Sequence, residues 1–347
     1  MTQANNISSQ PITFKSISSK PSYAPTMTLA MAQQRAQFIS NIRQFFTSRQ
    51  VLEVQTPLLS QAGNTDTFLQ SVAAHVTYQD RPRTYYLHTS PEFAMKRLLA
   101  SWQVPIYQIC PVFRDNEIGM RHNIEFTMLE WYQPNYSLDE MATELNELLE
   151  TLYGHSIVMS HYRYVDAFMD FVGIHPLTAS LTALQAVAED MGLTGFDFNN
   201  ADDSEENRRQ SWLDLLFSHA VEPNLGHDLP TLIIEYPPAT AALAKTAMDK
   251  DGNKIAKRFE LYINGVEIAN AYDELADGQV LRDRFEQDNQ LRARHNLPQM
   301  PIDEHLLAAS NDLMPCSGIA VGMDRLLMVL TGASSLEEVI PFPSGQA

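Results

Sequence analysis

The chain has 347 residues, 44% of them hydrophobic, and 24 basic against 42 acidic side chains give it a formal net charge of −18. That length buries a full core and holds one large or two modest domains. So negative a charge opposes an extended nucleic-acid surface, which draws on Lys and Arg, but not a small nucleotide site that needs only a few local cations. No run of about 18 apolar residues occurs, so no transmembrane helix is expected. The polar N-terminus lacks the apolar core of a secretory signal. The two cysteines, Cys110 and Cys316, lie in or beside apolar runs and read as buried thiols of a cytoplasmic protein.

Residues 1–25 are rich in Ser, Asn, Gln and Pro and read as a disordered tail. Over 28–49, Phe38, Ile39, Ile42, Phe45 and Phe46 recur at helical spacing, with Arg35 interrupting the stripe. A short strand at 51–54 and Pro57 follow. Residues 84–88 predict a strand, and Ser90-Pro91-Glu92 opens a helix to 101, with Ser90 as N-cap, Pro91 first and Glu92 in the first turn.

The stretch 107–132 organises the rest. Apolar runs at 106–113 and 126–132 have strand length. The loop between them, about a dozen residues, is long for a hairpin, and long loops on rigid scaffolds often bind ligands. It carries Arg114, Asp115, Asn116, Glu117, Arg121, His122, Asn123 and Glu125. Two arginines and a histidine beside Phe126 suit phosphates below a stacked base; an exposed charged hairpin would have the same composition. Residues 138–152 predict a helix. Several amphipathic helices follow in 164–228, around a polar stretch at 199–209, with no recognisable chemistry. His155, His161, His175, His219 and His227 show no paired spacing that would hold zinc.

Asn264-Gly265 between apolar runs marks a hairpin over 259–272. A two-residue turn pairs Tyr262 with Glu267, which sets Glu260 and Glu267 diagonally on one face, within reach of one bridging cation. Two such carboxylates with triphosphate oxygens can hold Mg²⁺, or can lie on a solvated face. Simple alternation sends Asn270 to the other face unless a bulge or strong twist intervenes. Glu274 follows the hairpin, and a charged helix spans 282–295. Near the C-terminus an apolar strand bounded by Gly318 and Gly322, with Ala320 between them, leads into a helix with Asp324 and Arg325 in its first turn. The glycines allow close backbone approach to a ligand.

Phe113-Arg114 and His122-Asn123-Ile124-Glu125-Phe126-Thr127-Met128 resemble the second signature motif of class II aminoacyl-tRNA synthetases. The version is that of lysyl-tRNA synthetases and their short paralogues that modify elongation factor P. Gly318 to Arg325 resembles the third motif, and 28–57 resembles the first, which builds a dimer interface. One departure is Asn116, where the family has Glu; Asp115 and Glu117 flank it. The resemblance runs from about Thr28 to the C-terminus.

The resemblance implies an α+β fold with a mainly antiparallel mixed sheet flanked by helices, in a homodimer. The catalytic domain would span 26–347 with a helical insertion at about 164–228. The resemblance further implies ATP bound by Arg114, Asn116, Arg121, His122, Asn123, Phe126, Glu267, Ile268, Gly322 and Arg325, with Arg114 and Arg325 catalytic and Arg325 stacking on adenine opposite Phe126. Mg²⁺ would lie on Glu260 and Glu267. Ser90, Pro91, Glu92, Glu130, Tyr132, Asn270, Glu274 and Ala320 would bind the amino acid, with Glu274 on its distal amino group. Only a short tail precedes the catalytic pattern. With the net charge, this implies (R)-β-lysine or lysine as substrate and elongation factor P as acceptor, tRNA being disfavoured. Ala320 agrees, because lysyl-tRNA synthetases usually have Gly there. Lysylation of tRNA, another amine acceptor and a non-catalytic regulatory paralogue are the alternatives.

Overall fold

The computed structural model describes residues 23–198 and 204–347. All but the last three residues of the tail expected over 1–25 fall outside that range, as do 199–203 of the polar stretch. In α1 (Leu29–Ser48) the Thr28 hydroxyl accepts from Met31 N at 3.1 Å, a serviceable N-cap. The predicted stripe turns inward, burying Phe38, Ile42, Phe45 and Phe46. Then come β1 (Leu52–Glu53), β2 (Leu59–Ser60), β3 (Ala73–Tyr78), β4 (Arg81–Leu87) and α2 (Glu92–Trp102). The organising stretch forms β5 (Ile106–Phe113) and β6 (Glu125–Pro134). A capping box at Ser137 and Glu140 starts α3 (Leu138–Tyr153). After β7 (Ser160–Arg163), three α-helices are described in the expected helical stretch: α4 (Tyr164–Phe171), α5 (Leu181–Asp190) and α6 (Glu205–Leu216). The remainder is β8 (Thr231–Tyr236), β9 (Thr246–Met248), β10 (Lys254–Ile263), β11 (Val266–Asp273), α7 (Gly278–Arg294), α8 (Glu304–Ser310), β12 (Cys316–Gly322) and α9 (Met323–Thr331).

Nine of these strands form one sheet, in the order β1-β5-β6-β12-β11-β10-β8-β7, with β9 on β10. Only β1–β5 and β7–β8 are parallel among the described strand pairs, so the sheet is mixed and mainly antiparallel, as expected. A small antiparallel sheet, β2-β4-β3, stands apart. The fold is α+β.

Strand alternation divides the large sheet into two faces. Leu129 and Trp131, Ile319 and Val321, Ala269 and Ala271, and Phe259 and Leu261 point to one face. They pack there with Phe46 of α1, Leu145 and Leu148 of α3 and Leu326 of α9. Phe46 stacks on Tyr107 with ring centroids 4.5 Å apart. Each such large side chain contributes roughly 1.5–3 kcal/mol by leaving water, so this face anchors the sheet. A second core gathers Phe168, Leu184, Trp212 and Leu216 from α4, α5 and α6 against Ile233 and Tyr236 of β8. The opposite face of the central strands carries polar groups where apolar ones would pack better.

Candidate active site

The polar face is a grid set by register. Gln108, Glu130, Ala320, Asn270 and Glu260 lie side by side across β5, β6, β12, β11 and β10. One row away are Tyr132, Gly318, Tyr272 and Arg258. Asn270 reaches this face through a bulge. Tyr262 pairs with Glu267 as the turn predicts, but Leu261 then pairs with Ala269. Ile268 is the extra residue, and it returns Asn270 to the face of Glu267. Of the alternatives open from sequence, the bulge is the one observed.

One end of the grid opens into a cavity lined by Arg114, Arg121, His122, Asn123, Phe126, Glu267, Ile268, Gly322 and Arg325. Asn270 and Ala320 line its inner side. The predicted nucleotide residues therefore come together, apart from Asn116. That residue has φ 62°, in the left-handed region, where Asn is tolerated better than Glu. The turn at Asn116 brings Glu117 to the cavity instead, 3.7 Å from Arg114 Nη1. Arg114 Cζ stands 5.1 Å from the Phe126 ring centroid, a cation–π arrangement. Its Nε is buried with no hydrogen-bond partner. An orphaned cationic donor at a cavity wall fits an anionic ligand.

Arg325 is held from three sides. Its Nε donates to Arg121 O at 3.1 Å, Nη1 lies 3.3 Å from Glu267 Oε2, and Nη2 lies 2.7 Å from His122 Nε2. Burial and the charge of Arg325 lower the His122 pKa below the usual histidine range, so this imidazole is neutral at pH 7. Arg121 donates to Gly265 O at 2.8 Å, which ties the long loop to the hairpin turn. Asp324 accepts from Thr127 N at 2.6 Å and from Arg35 Nη1 at 2.5 Å. Arg35, which only interrupted a stripe in the sequence, thus fastens α1 to the start of α9 and to Thr127 of β6.

Glu267 faces the cavity, whereas Glu260 stands behind it and is 7% exposed. Glu260 Oε2 accepts from Tyr236 OH at 2.5 Å and Tyr262 OH at 2.6 Å, and Oε1 pairs with Arg258 Nη2. These donors fill three of a carboxylate's roughly four acceptor positions, leaving one for a cation. The two glutamates sense one another, because the charge of Glu267 adds to burial in raising the Glu260 pKa. Glu222, which sequence reasoning passed over, joins them. Its carboxyl lies 3.3 Å from Tyr262 OH, whose proton goes to Glu260, and is pushed up to about 7 by burial and by both neighbouring acids.

At the other end the grid is closed. Glu130 is 1% exposed, and its oxygens accept from Ser90 Oγ at 2.5 Å and Tyr132 OH at 3.0 Å. Ser90 Oγ also accepts from Glu92 N at 3.0 Å, capping α2 from just before Pro91, which takes the cap position. Glu274 is likewise 1% exposed. Burial, reinforced by the charge of Glu92, pushes the Glu130 carboxyl up to about 8. Burial also raises that of Glu274, against the pull of Lys96. Gln108 Oε1 is a buried acceptor without a hydrogen-bond donor, whereas the buried Glu274 Oε2 has Lys96 Nζ 2.6 Å away. A Cβ on Gly318 would meet Glu274 Oε1 and Tyr132 Cε1 at 2.3 Å. Gly318 is therefore glycine so that two site side chains can close over it, a protein contact where the sequence suggested ligand approach. Gly322 differs: a Cβ there would meet nothing closer than 3.8 Å, so the space belongs to the cavity. Lys96, absent from the sequence-derived site, sits inside this cluster. Both cysteines are buried free thiols, with pKa values pushed up to about 12 by burial.

No described helix is long and apolar enough to cross a membrane. The family described as tRNA synthetases class II (D, K and N) matches residues 24–346. The chain is 42% identical over 334 residues to the elongation factor P–(R)-β-lysine ligase of Edwardsiella ictaluri, covering 95% of this chain and all of that protein. It is 41% identical over 330 residues to the proteins of the same name from Pectobacterium atrosepticum and Pectobacterium carotovorum, covering 94% of this chain and 98% of each. The chain thus belongs to the class II tRNA synthetase family and, within it, to the family of the elongation factor P–(R)-β-lysine ligases.

Proposed function

We propose that this protein activates (R)-β-lysine, or less readily lysine, with ATP and transfers it to the ε-amino group of a lysine on elongation factor P. The observation that carries this reading is the polarity of the grid. An orphaned guanidinium nitrogen of Arg114 stands at its open end, and the carboxyls of Glu92 and of the buried Glu130 and Glu274 gather around the single ammonium of Lys96 at its closed end. A triphosphate suits the first, and the ammonium groups of a diamino acid suit the second.

In this reading Phe126 and Arg325 sandwich the adenine. Arg114 faces the α-phosphate, and Arg121 and neutral His122 hold the outer phosphates, with Asn123, Ile268 and Gly322 shaping the wall. Glu117 supplies the carboxylate beside Arg114 that Asn116 lacks. Glu267, with Glu260 behind it, would hold Mg²⁺, which supplies neutralisation of phosphate charge. Glu92 takes the nearer amino group, Glu274 and Tyr132 the distal one, and Glu130, Asn270 and Ala320 shape the space between. The substrate carboxylate then attacks the α-phosphorus, the bond to the β-phosphate breaks, and pyrophosphate leaves. The acceptor amine attacks the acyl carbon of the adenylate, gives up a proton, and releases AMP. No side-chain nucleophile takes part; positioning and preorganised charge lower the barrier. A homodimer and a cytoplasmic location are part of the same proposal.

ATP–pyrophosphate exchange tests the first half-reaction. Exchange that depends on (R)-β-lysine or lysine is expected. Exchange absent with both, in folded protein, would favour the regulatory-paralogue reading and reject ours.

A further inference from the structure

Lys96 has no part in the reaction just described, yet it is 1% exposed. It lies on α2 beside Met95, with Leu99 one turn on, both fully buried. Its Nζ is 2.6 Å from Glu92 Oε1 and 2.6 Å from Glu274 Oε2. Burial would lower the lysine pKa, but the two carboxylates outweigh it and raise the pKa above the ordinary value, so the ammonium is charged. An i,i+4 Glu–Lys pair on a helix is worth only a few tenths of a kcal/mol, which does not account for burying a charge. The second partner does, because Glu274 comes from just past the end of β11, and both members of that pair are 1% exposed.

The charges of the closed end can be counted. With the ligand bound and all three carboxyls ionised, Glu92, Glu130 and Glu274 bring three negative charges and Lys96 one positive charge, which leaves two negative charges for the ligand. A diamino acid brings two ammonium groups, and its carboxylate is directed to the nucleotide. A third unmatched carboxylate would bind a proton instead of ligand. In the empty site Glu130 keeps its proton, first because it is buried and next because of the charge of Glu92.

We propose that Lys96 is a positioning residue and built-in counter-ion of the amino-acid pocket: it orients Glu92 and Glu274 and sets the three-carboxylate cluster to the charge that a diamino acid neutralises. This rests on the diamino-acid reading above.

The test is a double-mutant cycle read by amino-acid-dependent pyrophosphate exchange, with the KM for ATP measured alongside. Lys96→Met is expected to raise the amino-acid KM at least about tenfold and leave the ATP KM within about twofold. The double variant Lys96→Met/Glu274→Gln removes both members of the buried pair and should match Glu274→Gln alone within about twofold. Lys96→Arg, which keeps the charge, should recover part of the loss. An unchanged amino-acid KM in Lys96→Met, or a double variant as impaired as the product of the two single effects, would overturn the proposal. Should Lys96→Met alone fail to fold, the comparison of the double variant with Glu274→Gln decides it. Glu274→Gln without any effect on the amino-acid KM would reject the diamino-acid reading itself, so the two failures are distinguishable.

Discussion

The two ends of one sheet face solve opposite problems. At the nucleotide end, Arg114, Arg121 and Arg325 stand around an open cavity, and the side chains of Arg114 and Arg325 are 23% and 21% exposed. At the amino-acid end, Glu130, Glu274 and Lys96 are each 1% exposed. Phosphates bring several charged oxygens, and arginine holds them through forked hydrogen bonds even where water reaches. An ammonium group offers little shape, so selecting it over water requires carboxylates already stripped of solvent. Desolvated carboxylates are costly to keep, and the closed end offsets that cost with Lys96, Ser90 and Tyr132. In the proposed reading, one ligand is gripped by reach and the other by burial.

Arg114→Ala should break the nucleotide end alone. We expect amino-acid-dependent pyrophosphate exchange to fall by at least about a hundredfold, the loss typical of removing a preorganised charge donor. Circular dichroism and melting should stay near wild type. Wild-type exchange in this variant would contradict the arrangement. Glu274→Gln should break the other end, raising the amino-acid KM at least about tenfold, as loss of a charge-assisted contact does, with the ATP KM unchanged.

Gly318→Ala sharpens the comparison through packing. The added methyl meets Tyr132 and Glu274 at 2.3 Å, and overpacking of this kind costs about 1–3 kcal/mol. A lower melting temperature together with a raised amino-acid KM is expected, whereas Gly322→Ala should melt as wild type. An unchanged melting temperature for Gly318→Ala would show that the closed end has slack.

The two ends should also differ in pH response. The Glu130 carboxyl is raised from 4.5 to about 8, so in the empty protein it holds its proton across that interval while the unfolded chain releases it. Its contribution to stability is therefore fully present below the unfolded value and is lost as pH rises through about 8. Ligand ammonium favours the carboxylate, so amino-acid affinity should rise over the same interval. Glu130→Gln should flatten that rise, and calorimetric titration at three pH values would detect it. Smallest of all, Asn116→Glu should change exchange by no more than about a few fold, because the left-handed backbone there suits Glu less well than Asn. Glu117→Gln should do more. The reverse order would return the nucleotide contact to position 116.

Legibility in the sequence followed the same division. The residues of the open cavity were readable as a group because they are close in the chain: Arg114 to Phe126 form one loop, and Gly322 to Arg325 one strand-to-helix turn. The turn at Asn264-Gly265 fixed the register at Glu267, and the bulge that brings Asn270 round was one of the stated alternatives. At the closed end Glu92, Glu130 and Glu274 were found only through resemblance. Lys96 was missed for a physical reason. A lysine four residues after a glutamate on a helix reads as a solvated pair, and only the third dimension brings Glu274 over it. Arg35 and Glu222 were missed likewise, since their partners, Asp324 and Tyr262, lie 289 and 40 residues away. Asn116 was seen as a departure, but the left-handed turn that brings Glu117 to the cavity has no signature in residue types alone.

The most direct test of the account is a transfer assay with two acceptors. The protein, ATP, Mg²⁺ and (R)-β-lysine are incubated with elongation factor P or with tRNA, and intact mass and acid-precipitable label are read. The account predicts a gain of one lysyl unit on elongation factor P and no label on tRNA. Label on tRNA alone, or no modification of elongation factor P while pyrophosphate exchange proceeds, would contradict it.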